Sequence, residues 1–227
     1  VQKNGRWHGE IWLKHSHGES IPVLTSVSEV KNEKDNNLHY VVIFSDITRQ
    51  KEQEEHLEKL AHYDSLTTLP NRILFFDRFR GALARARRLR KQLAIFYIDL
   101  DGFKAVNDTL GHQSGDEVLK NAANVLLHCI REDDTVARLG GDEFVILFND
   151  LENTSHVHML AERIIKNMSF TLPADKKDLL VTASIGIAIY PGDGDSEETL
   201  LRHADNTMYQ AKKLGKNNYS IYSQNND

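Results

Sequence analysis

The alternation of apolar and polar residues changes character near residue 48. Before that point three short runs have strand-like patterning, and turn signals separate them at His17-Gly18 and Asp35-Asn36-Asn37. The runs are Glu10–Lys14, Ile21–Val30 and Leu38–Ser45. They predict a three-stranded antiparallel sheet, which would bury little apolar surface and be only marginally stable alone.

Residues 48–62 follow a helical pattern and are strongly charged, so we predict a linker helix. One coiled-coil seam would contain Ile47, Leu57 and Ala61, but the polar residues Gln50 and Glu54 fall on the same seam. Two interpretations stay open, a solvated connector and a helix that pairs with a second copy of the chain.

From residue 63 onward helical and strand patterns alternate. Helices are predicted at Arg72–Gln92, Phe103–Leu110, Gly115–Ile130, Ser155–Met168 and Ser196–Leu214. Strands are predicted at Leu93–Ile98, Thr135–Leu139, Phe144–Phe148, Leu179–Tyr190 and Asn218–Tyr222. This order predicts an α+β fold, an α/β sandwich in which helices flank one central mixed sheet.

Composition places the chain among globular proteins, with 227 residues, 40% of them hydrophobic, and a net charge of -5. One cysteine, Cys129, excludes an internal disulfide framework and suits a reducing compartment, so the cytoplasm is the default location. No apolar run approaches the roughly 20 residues that cross a bilayer, and no signal peptide is recognisable. The missing initiator methionine suggests a fragment, whose parent protein could still be attached to a membrane.

Two features of the sequence suggest binding sites but are better explained otherwise. The basic stretch from Arg78 to Lys91 would spread around a helix, which favours a solvated face over a nucleic-acid site. The 11 histidines show no convincing metal-ligand spacing. We therefore expect no nucleic-acid contact and no membrane contact from this chain.

Carboxylates follow the apolar run Leu93–Ile98, which predicts a strand covered on both faces. Asp99 and Asp101 come directly after it, on either side of Leu100. Aspartate also caps helices, so for Asp101 capping and function are equally supported.

A second pair of carboxylates, Asp142 and Glu143, follows the predicted turn at Gly140-Gly141. If this hairpin pairs with the strand that ends at Asp99, the strand spacing of about 4.8 Å would let Asp99 and Asp142 share a cation. Magnesium suits such oxygen ligands and usually keeps substrate phosphates in its shell. Taken alone, these four residues favour an ordinary tight turn.

Seven ordered blocks together resemble the signature of the GGDEF family over residues 62–222. The blocks are residues 63–72, 99–104, 107–112, 115–116, 138–144, 184–188 and 211–217. Thr68 departs from the glycine common in the family. Residues 1–47 resemble the C-terminal part of a PAS sensor domain in three segments, at 7–12, 17–19 and 42–48. We thus expect a truncated PAS part (1–47), a linker helix (48–62), a GGDEF domain (63–223) and a tail (224–227).

The GGDEF resemblance implies a palm-like nucleotidyl cyclase fold and diguanylate cyclase activity. Such an enzyme joins two GTP molecules into cyclic di-GMP and two pyrophosphates, using Mg²⁺ or Mn²⁺. By resemblance, Asp99, Asp142 and the Leu100 carbonyl are metal ligands, and Asp142 is also the candidate general base. Glu143 would be a supporting ligand or lie behind the ligands.

The same resemblance implies a substrate-binding set. Asn107 and Asp116 would read guanine, because a carboxylate accepts from both N1–H and the 2-amino group, which adenine does not offer as a pair. Phosphates would be bound by Lys104, Lys212 and Lys216, with Lys104 stabilising the transition state, and the set also includes Gly102 and Phe103. Without the resemblance, Asn107 and Asp116 would be explained as helix-terminal residues.

An inhibitory product site is implied by Arg131 and Asp134, an Arg-x-x-Asp at the family's spacing from Gly140. It would bind cyclic di-GMP, whereas the motif alone would suggest a surface ion pair. A symmetric product calls for a homodimer. The rival functions are a non-catalytic module that binds GTP or cyclic di-GMP, and an adenylyl-type cyclase, which Asn107 and Asp116 disfavour.

Overall fold

The computed structural model of the chain describes residues 5–31, 38–174 and 178–223. The predicted turn at Asp35-Asn36-Asn37, residues 1–4 and the predicted tail at 224–227 lie outside these residues. The chain divides between Leu60 and Ala61 into two compact units. None of the helices in the described ranges is long and apolar enough to span a bilayer.

The first unit contains a three-stranded antiparallel sheet in the order β1-β2-β3. Its strands are β1 (Arg6–Lys14), β2 (Ser20–Lys31) and β3 (Leu38–Asp46). Exposed and half-buried residues alternate along β1, as expected for a strand with one covered face. Val23 and Thr25 on the central strand are buried. The predicted antiparallel sheet is confirmed.

Helix α1 (Thr48–His62) begins directly after this sheet and has no buried residue. Its polar side chains pair with each other at helical spacing: Gln50 donates to Glu54 at 2.9 Å, and Lys59 lies 2.9 Å from Glu55. The apolar side chains of Leu57 and Leu60 are more than half exposed. The helix at 48–62 is confirmed, and its surface combines a solvated polar part with exposed leucines.

The second unit is built on one six-stranded sheet in the order β5-β6-β4-β8-β7, with β9 pairing β8. The strands are β4 (Gln92–Asp101), β5 (Thr135–Gly140), β6 (Glu143–Leu151), β7 (Phe170–Leu172), β8 (Leu179–Tyr190) and β9 (Asn218–Ile221). All pairings are antiparallel except β8 with β9, which is parallel. The predicted mixed sheet is confirmed, and β4 lies at its centre because its apolar run can be covered on both faces.

Five helices cover the two faces of this sheet. They are α2 (Arg72–Leu89), α3 (Phe103–Leu110), α4 (His112–Cys129), α5 (Ser155–Asn167) and α6 (Glu197–Lys213). Phe96 and Ile98 of β4 join a core with α4 and α5, whereas Leu93 and Ile95 join a core with α2 and α6. The side chains of one strand thus supply two cores in alternation, which confirms the α+β sandwich.

Several predicted boundaries differ from the structure. Helix α2 ends at Leu89, because Arg90 adopts a left-handed conformation with φ 54°. Helix α4 begins at His112 rather than Gly115, and the three-residue strand β7 was not predicted. Basic residues of α2 contact acidic residues of the same unit: Arg80 lies 3.4 Å from Glu197, and Arg85 lies 3.2 Å from Asp150.

Candidate active site

Strand pairing brings the predicted carboxylates to one end of the large sheet. Asp99 on β4 lies opposite Glu143 on β6, and the Leu100 N–H donates to the Asp142 carbonyl at 3.3 Å. The turn between β5 and β6 uses Gly141 at φ 52°, a left-handed conformation that glycine adopts without steric cost. We call Asp99, Asp142 and Glu143 the acidic cluster.

Burial is the largest influence on the pKa values of Asp99 and Glu143. It raises the pKa of Asp99, and the nearby charges of Asp142 and Asp101 raise it further, while a hydrogen bond from Lys212 acts in the opposite direction. Burial also raises the pKa of Glu143, and the negative charges of Asp205, Asp99 and Asp142 add to this effect. Concentrated negative charge of this kind favours a bound cation.

A tyrosine and a further aspartate, both absent from the predicted site, lie beside the acidic cluster. The Tyr97 hydroxyl donates a hydrogen bond to Glu143. Burial raises the pKa of Tyr97, and the charges of Glu143 and Asp205 raise it further, so the phenol remains a donor. The signal in the sequence was a tyrosine with its polar hydroxyl inside the apolar run of β4.

The donor set of this sheet end fits a hard divalent cation, although no ready-made cage is present. Within residues 5–31, 38–174 and 178–223, no three carboxylate, imidazole or thiolate side chains converge as a metal site. Magnesium seldom uses an all-protein cage, because one or two carboxylates and substrate phosphates are its usual ligands. Asp99, Asp142 and the Leu100 carbonyl match that requirement.

One of the predicted phosphate-binding lysines contacts the acidic cluster. Lys212 Nζ lies 2.7 Å from Asp99 Oδ1. Helix α6 carries Lys212 close to the sheet because Gly186 on β8 has no side chain: a Cβ there would lie well within 3.0 Å of the Ala204 carbonyl oxygen and the Met208 nitrogen. Lys104, in the first turn of α3, and Lys216, after α6, are both exposed.

The predicted guanine-reading residues lie on the two helices that follow β4. Asn107 is half-buried in α3, and Asp116 is exposed in the second turn of α4. Glycines occupy the cap positions, Gly102 before α3 and Gly111 between the helices. The alternative explanation of Asn107 and Asp116 as helix-terminal residues is therefore wrong. Phe103 is half-buried at the start of α3 and packs against the core.

Asp101 is enclosed by hydrogen-bond donors, and its exposed fraction is only 6%. Thr182 Oγ1 donates to its carboxylate at 3.0 Å, Ser184 Oγ donates at 3.0 Å, and the Asn217 N–H donates at 3.1 Å. Gly102, not Asp101, is the N-cap of α3. Capping is therefore wrong for Asp101, which instead ties β4 to β8 and to the segment after α6. We call Asp101, Thr182, Ser184 and Asn217 the Asp101 pocket.

An arginine and an aspartate hold the turn that carries Asp142. Both nitrogens Nε and Nη2 of Arg138 donate to the Gly141 carbonyl, at 3.0 and 2.8 Å, while Nη1 donates to Asp64 at 3.0 Å. Burial alone would raise the pKa of Asp64, but hydrogen bonds from Thr67 and Arg138 outweigh it, and the pKa is lowered. Asp64 and Arg138 each lie in a block that resembles the GGDEF signature. Nothing in the sequence near either residue indicates that their side chains pair.

The predicted inhibitory site has a different geometry from a surface ion pair. Arg131 is exposed, and its guanidinium carbon lies 5.7 Å from the centre of the Phe148 ring. Asp134 is buried, and it accepts from the backbone N–H of Arg131 at 3.1 Å and of Asn149 at 2.9 Å. Burial raises the pKa of Asp134 despite these two bonds. Arg131 thus contacts Asp134 through its backbone.

Comparison with known proteins identifies the family. The family model for the GGDEF domain of diguanylate cyclases matches residues 61–218. The chain belongs to the GGDEF family. The solved GGDEF domain of TpbB (YfiN) from Pseudomonas aeruginosa has a TM-score of 0.68 and 41% identity, covering 72% of this chain and 96% of that one. The predicted palm-like cyclase fold is thereby confirmed.

Two further similarities add context to the GGDEF assignment. The bifunctional diguanylate cyclase and cyclic di-GMP phosphodiesterase MucR of Pseudomonas aeruginosa is 44% identical over 166 residues, 73% of this chain and 24% of MucR. The coiled coil and GGDEF domain of DgcB from Caulobacter crescentus, solved with c-di-GMP, has a TM-score of 0.68 and 30% identity, covering 77% of this chain and 93% of that one. The chain spans about a quarter of the length of the first curated relatives that it matches.

Proposed function

We propose that the second unit is a diguanylate cyclase, which condenses two GTP molecules into cyclic di-GMP and two pyrophosphates. The observation that carries the proposal is the convergence of the acidic cluster on one sheet end, with Lys212 in contact with it. At this end β4 leads into helices α3 and α4, which carry the candidate guanine-reading residues Asn107 and Asp116. A carboxylate cluster beside cationic side chains suits the transfer of a nucleotidyl group.

In this proposal the protein groups act on the 3'-hydroxyl of one GTP and the α-phosphate of the other. Asp99, Asp142 and the Leu100 carbonyl would hold Mg²⁺ or Mn²⁺, and the bound ion would acidify the hydroxyl and neutralise the leaving pyrophosphate. Asp142 accepts the hydroxyl proton, as the oxygen attacks phosphorus and pyrophosphate leaves. Glu143, held by Tyr97, adds negative charge behind the ligands.

The remaining substrate contacts follow from charge and donor pattern. Lys104 stabilises the negative charge that develops on the α-phosphate, and Lys212 and Lys216 bind the outer phosphates. Gly102 and Phe103 lie beside Lys104, where β4 leads into α3. Asp116 accepts from the N1–H and 2-amino group of guanine, so ATP would leave its carboxylate unpaired.

We further propose that two copies of the chain form the working enzyme. Each copy would hold one GTP, and a two-fold axis would bring both half-sites to the two bonds of a symmetric product. The exposed Leu57 and Leu60 of α1 are apolar groups available for pairing across such a dimer. This favours a pairing function for the linker helix over a merely solvated connector.

Two finer assignments belong to the same proposal. Residues 1–47 would be the C-terminal part of a PAS domain, which the three-stranded antiparallel sheet supports. Arg131 and Asp134 would form an inhibitory site for cyclic di-GMP, with the exposed guanidinium as the main contact. The DgcB structure in complex with c-di-GMP gives this ligand a precedent within the family.

The test is turnover of GTP with magnesium by the wild type, by Asp142→Asn and by Asp195→Asn. Asp195 is an exposed loop residue outside the site, so it is the matched control. We expect cyclic di-GMP from the wild type and the control, and at least about a 100-fold lower rate from Asp142→Asn. Absence of product from a wild-type sample that light scattering shows to be dimeric would contradict the enzyme. It would favour the alternative, a non-catalytic GTP- or cyclic di-GMP-binding module.

A further inference from the structure

Gly115 and Asn107 lie against each other where helices α3 and α4 pack. A Cβ atom at position 115 would lie well within 3.0 Å of Asn107 Oδ1, at 3.0 Å from Asn107 Cγ and at 3.3 Å from Phe103 Cε2. Cβ atoms essentially never come closer than 3.0 Å to a neighbouring heavy atom. The amide of Asn107 therefore occupies the space that any larger residue at position 115 would need.

The backbone gives no reason for a glycine at this position. Gly115 is buried inside α4 and lies outside the set of glycines with positive φ. In a helix, glycine is less favourable than alanine, because it loses more backbone freedom on folding. A glycine at this position leaves space for the Asn107 side chain.

We propose that Gly115 is a positioning residue for base recognition, an inference that rests on the proposed function of Asn107 and Asp116. Gly115, the residue directly before Asp116, lets the Asn107 amide lie against α4. An amide offers an acceptor and two donors, and a carboxylate offers acceptors only, so the pair presents a fixed hydrogen-bonding edge. The position of that edge depends on the missing side chain of Gly115.

The structure also predicts how an alanine at position 115 would act. The nearest atoms to the added methyl group belong to the end of the Asn107 side chain, which can rotate away without moving the backbone. Gly115→Ala should therefore fold, and α4 should gain helix propensity. Base recognition should weaken while the melting temperature stays the same or rises. A glycine needed only for helix packing would instead lose stability.

The experiment measures equilibrium binding of two non-reacting nucleotides with magnesium, the α,β-methylene analogues of GTP and of ATP, by calorimetry. The variants are Gly115→Ala, Asn107→Ala, the double variant and Gly81→Ala. Gly81 is the matched control, because it lies in helix α2 and a Cβ there would meet nothing within 4 Å. Thermal unfolding of each variant is recorded in parallel.

We expect Gly115→Ala to weaken binding of the GTP analogue about tenfold, the effect of one lost hydrogen bond to a buried base edge. Binding of the ATP analogue should stay within about twofold, because the phosphate contacts remain. The double variant should bind like Asn107→Ala alone, since alanine at 107 removes the atoms that the new methyl group meets. Gly81→Ala should bind like the wild type.

Three results would overturn the inference. Unchanged binding of the GTP analogue by Gly115→Ala would exclude the positioning role while leaving the proposed function intact. An equal loss for both nucleotides together with a lower melting temperature would assign Gly115 to helix packing. A wild type without preference for the GTP analogue would remove guanine recognition by Asn107 and Asp116, and the inference with it.

Discussion

Asp99 and Asp101 are two residues apart on strand β4, yet their surroundings differ completely. The Asp101 pocket closes around its carboxylate with two hydroxyl groups and one backbone N–H, all of them neutral and fixed by the fold. Asp99 belongs to the acidic cluster, where the donor in contact with it is the ammonium group at the end of the long Lys212 side chain. One carboxylate is satisfied by the fold, and the other has its pKa raised by burial first and by the neighbouring like charges in addition.

This difference separates a carboxylate that holds the fold together from one that we propose to act in the reaction. Neutral donors at fixed positions give a buried acceptor full hydrogen bonding, which stabilises the fold. Clustered carboxylates destabilise the folded chain, and they are kept where a cation or a reacting group can use them. The comparison predicts that substitutions at Asp101 act on stability and substitutions at Asp99 act on activity.

Asp99→Asn should have the largest effect on the reaction. It removes one proposed metal ligand and one negative charge, so we expect cyclic di-GMP synthesis to fall about 100- to 1,000-fold. Stability should change by less than about 1 kcal/mol, because the substitution also relieves repulsion with Asp142. Turnover and urea unfolding of the same sample measure both. A variant with clearly lower stability and unchanged specific activity would reverse the assignment.

Asp101→Ala should have the converse effect. It leaves the Thr182 and Ser184 hydroxyls and the Asn217 N–H without their buried acceptor, and we expect a loss of about 3 kcal/mol in the free energy of unfolding. Asp101→Asn is the matched control, since it keeps the shape and one acceptor and should lose less. Urea unfolding measures the difference. Equal stability of Asp101→Ala and the wild type would refute the structural role of the pocket.

Asp64 combines features of both environments, because its partner Arg138 is charged but holds the hairpin turn in place. Its lowered pKa means that the ion pair stabilises the fold above the unfolded-state pKa near 3.9. That stability is lost as the pH falls through the lower, folded-state pKa. Asp64→Asn should therefore be about 1–2 kcal/mol less stable than the wild type at pH 7.

The same variant gives the pH test. The difference in unfolding free energy between wild type and Asp64→Asn should shrink as the pH is lowered below about 4. Chemical unfolding at pH 7 and pH 3 measures it. A difference that is the same at both pH values would mean that the ionised form of Asp64 contributes nothing.

Lys216→Arg should have the smallest effect. It tests where the Asp101 pocket ends and the proposed phosphate-binding surface begins. Lys216 directly precedes Asn217 of the Asp101 pocket, but its own side chain is exposed. A guanidinium binds phosphate through two donors where an ammonium is a point charge, so GTP binding should tighten about two- to fivefold. Stability should not change. Weaker GTP binding by the arginine variant would argue against a phosphate contact at position 216.

The fold could largely be predicted because local patterns specified most elements. Phe103–Leu110 and Leu179–Tyr190 were predicted at their observed bounds, since a helical period and a long β-rich run mark them clearly. Strand β7 has only three residues, too few for a periodic signal. The start of α4 was placed at Gly115 rather than His112, because Gly111 alone separates α3 from α4 and no capping side chain marks the boundary.

The sequence predicted the parts of the site that follow from residue order along paired strands. It did not predict the parts that depend on contacts between distant residues. Asp99, Asp142 and Glu143 follow from strand pairing, which the sequence allowed us to expect. The structural role of Asp101 depends on Thr182, Ser184 and Asn217, which are 81 to 116 residues away in the chain. The contacts of Tyr97 with Glu143 and of Asp64 with Arg138 likewise depend on the completed fold.

The central claim is that two copies of this chain together make cyclic di-GMP from GTP, and its most direct test is initial rate against protein concentration. Product formation per chain, measured with saturating GTP and magnesium, should rise with protein concentration and level off as the dimer forms. The rise should coincide with dimer formation followed by light scattering. A rate per chain that is constant from monomer to dimer, or no cyclic di-GMP at any concentration, would contradict the account.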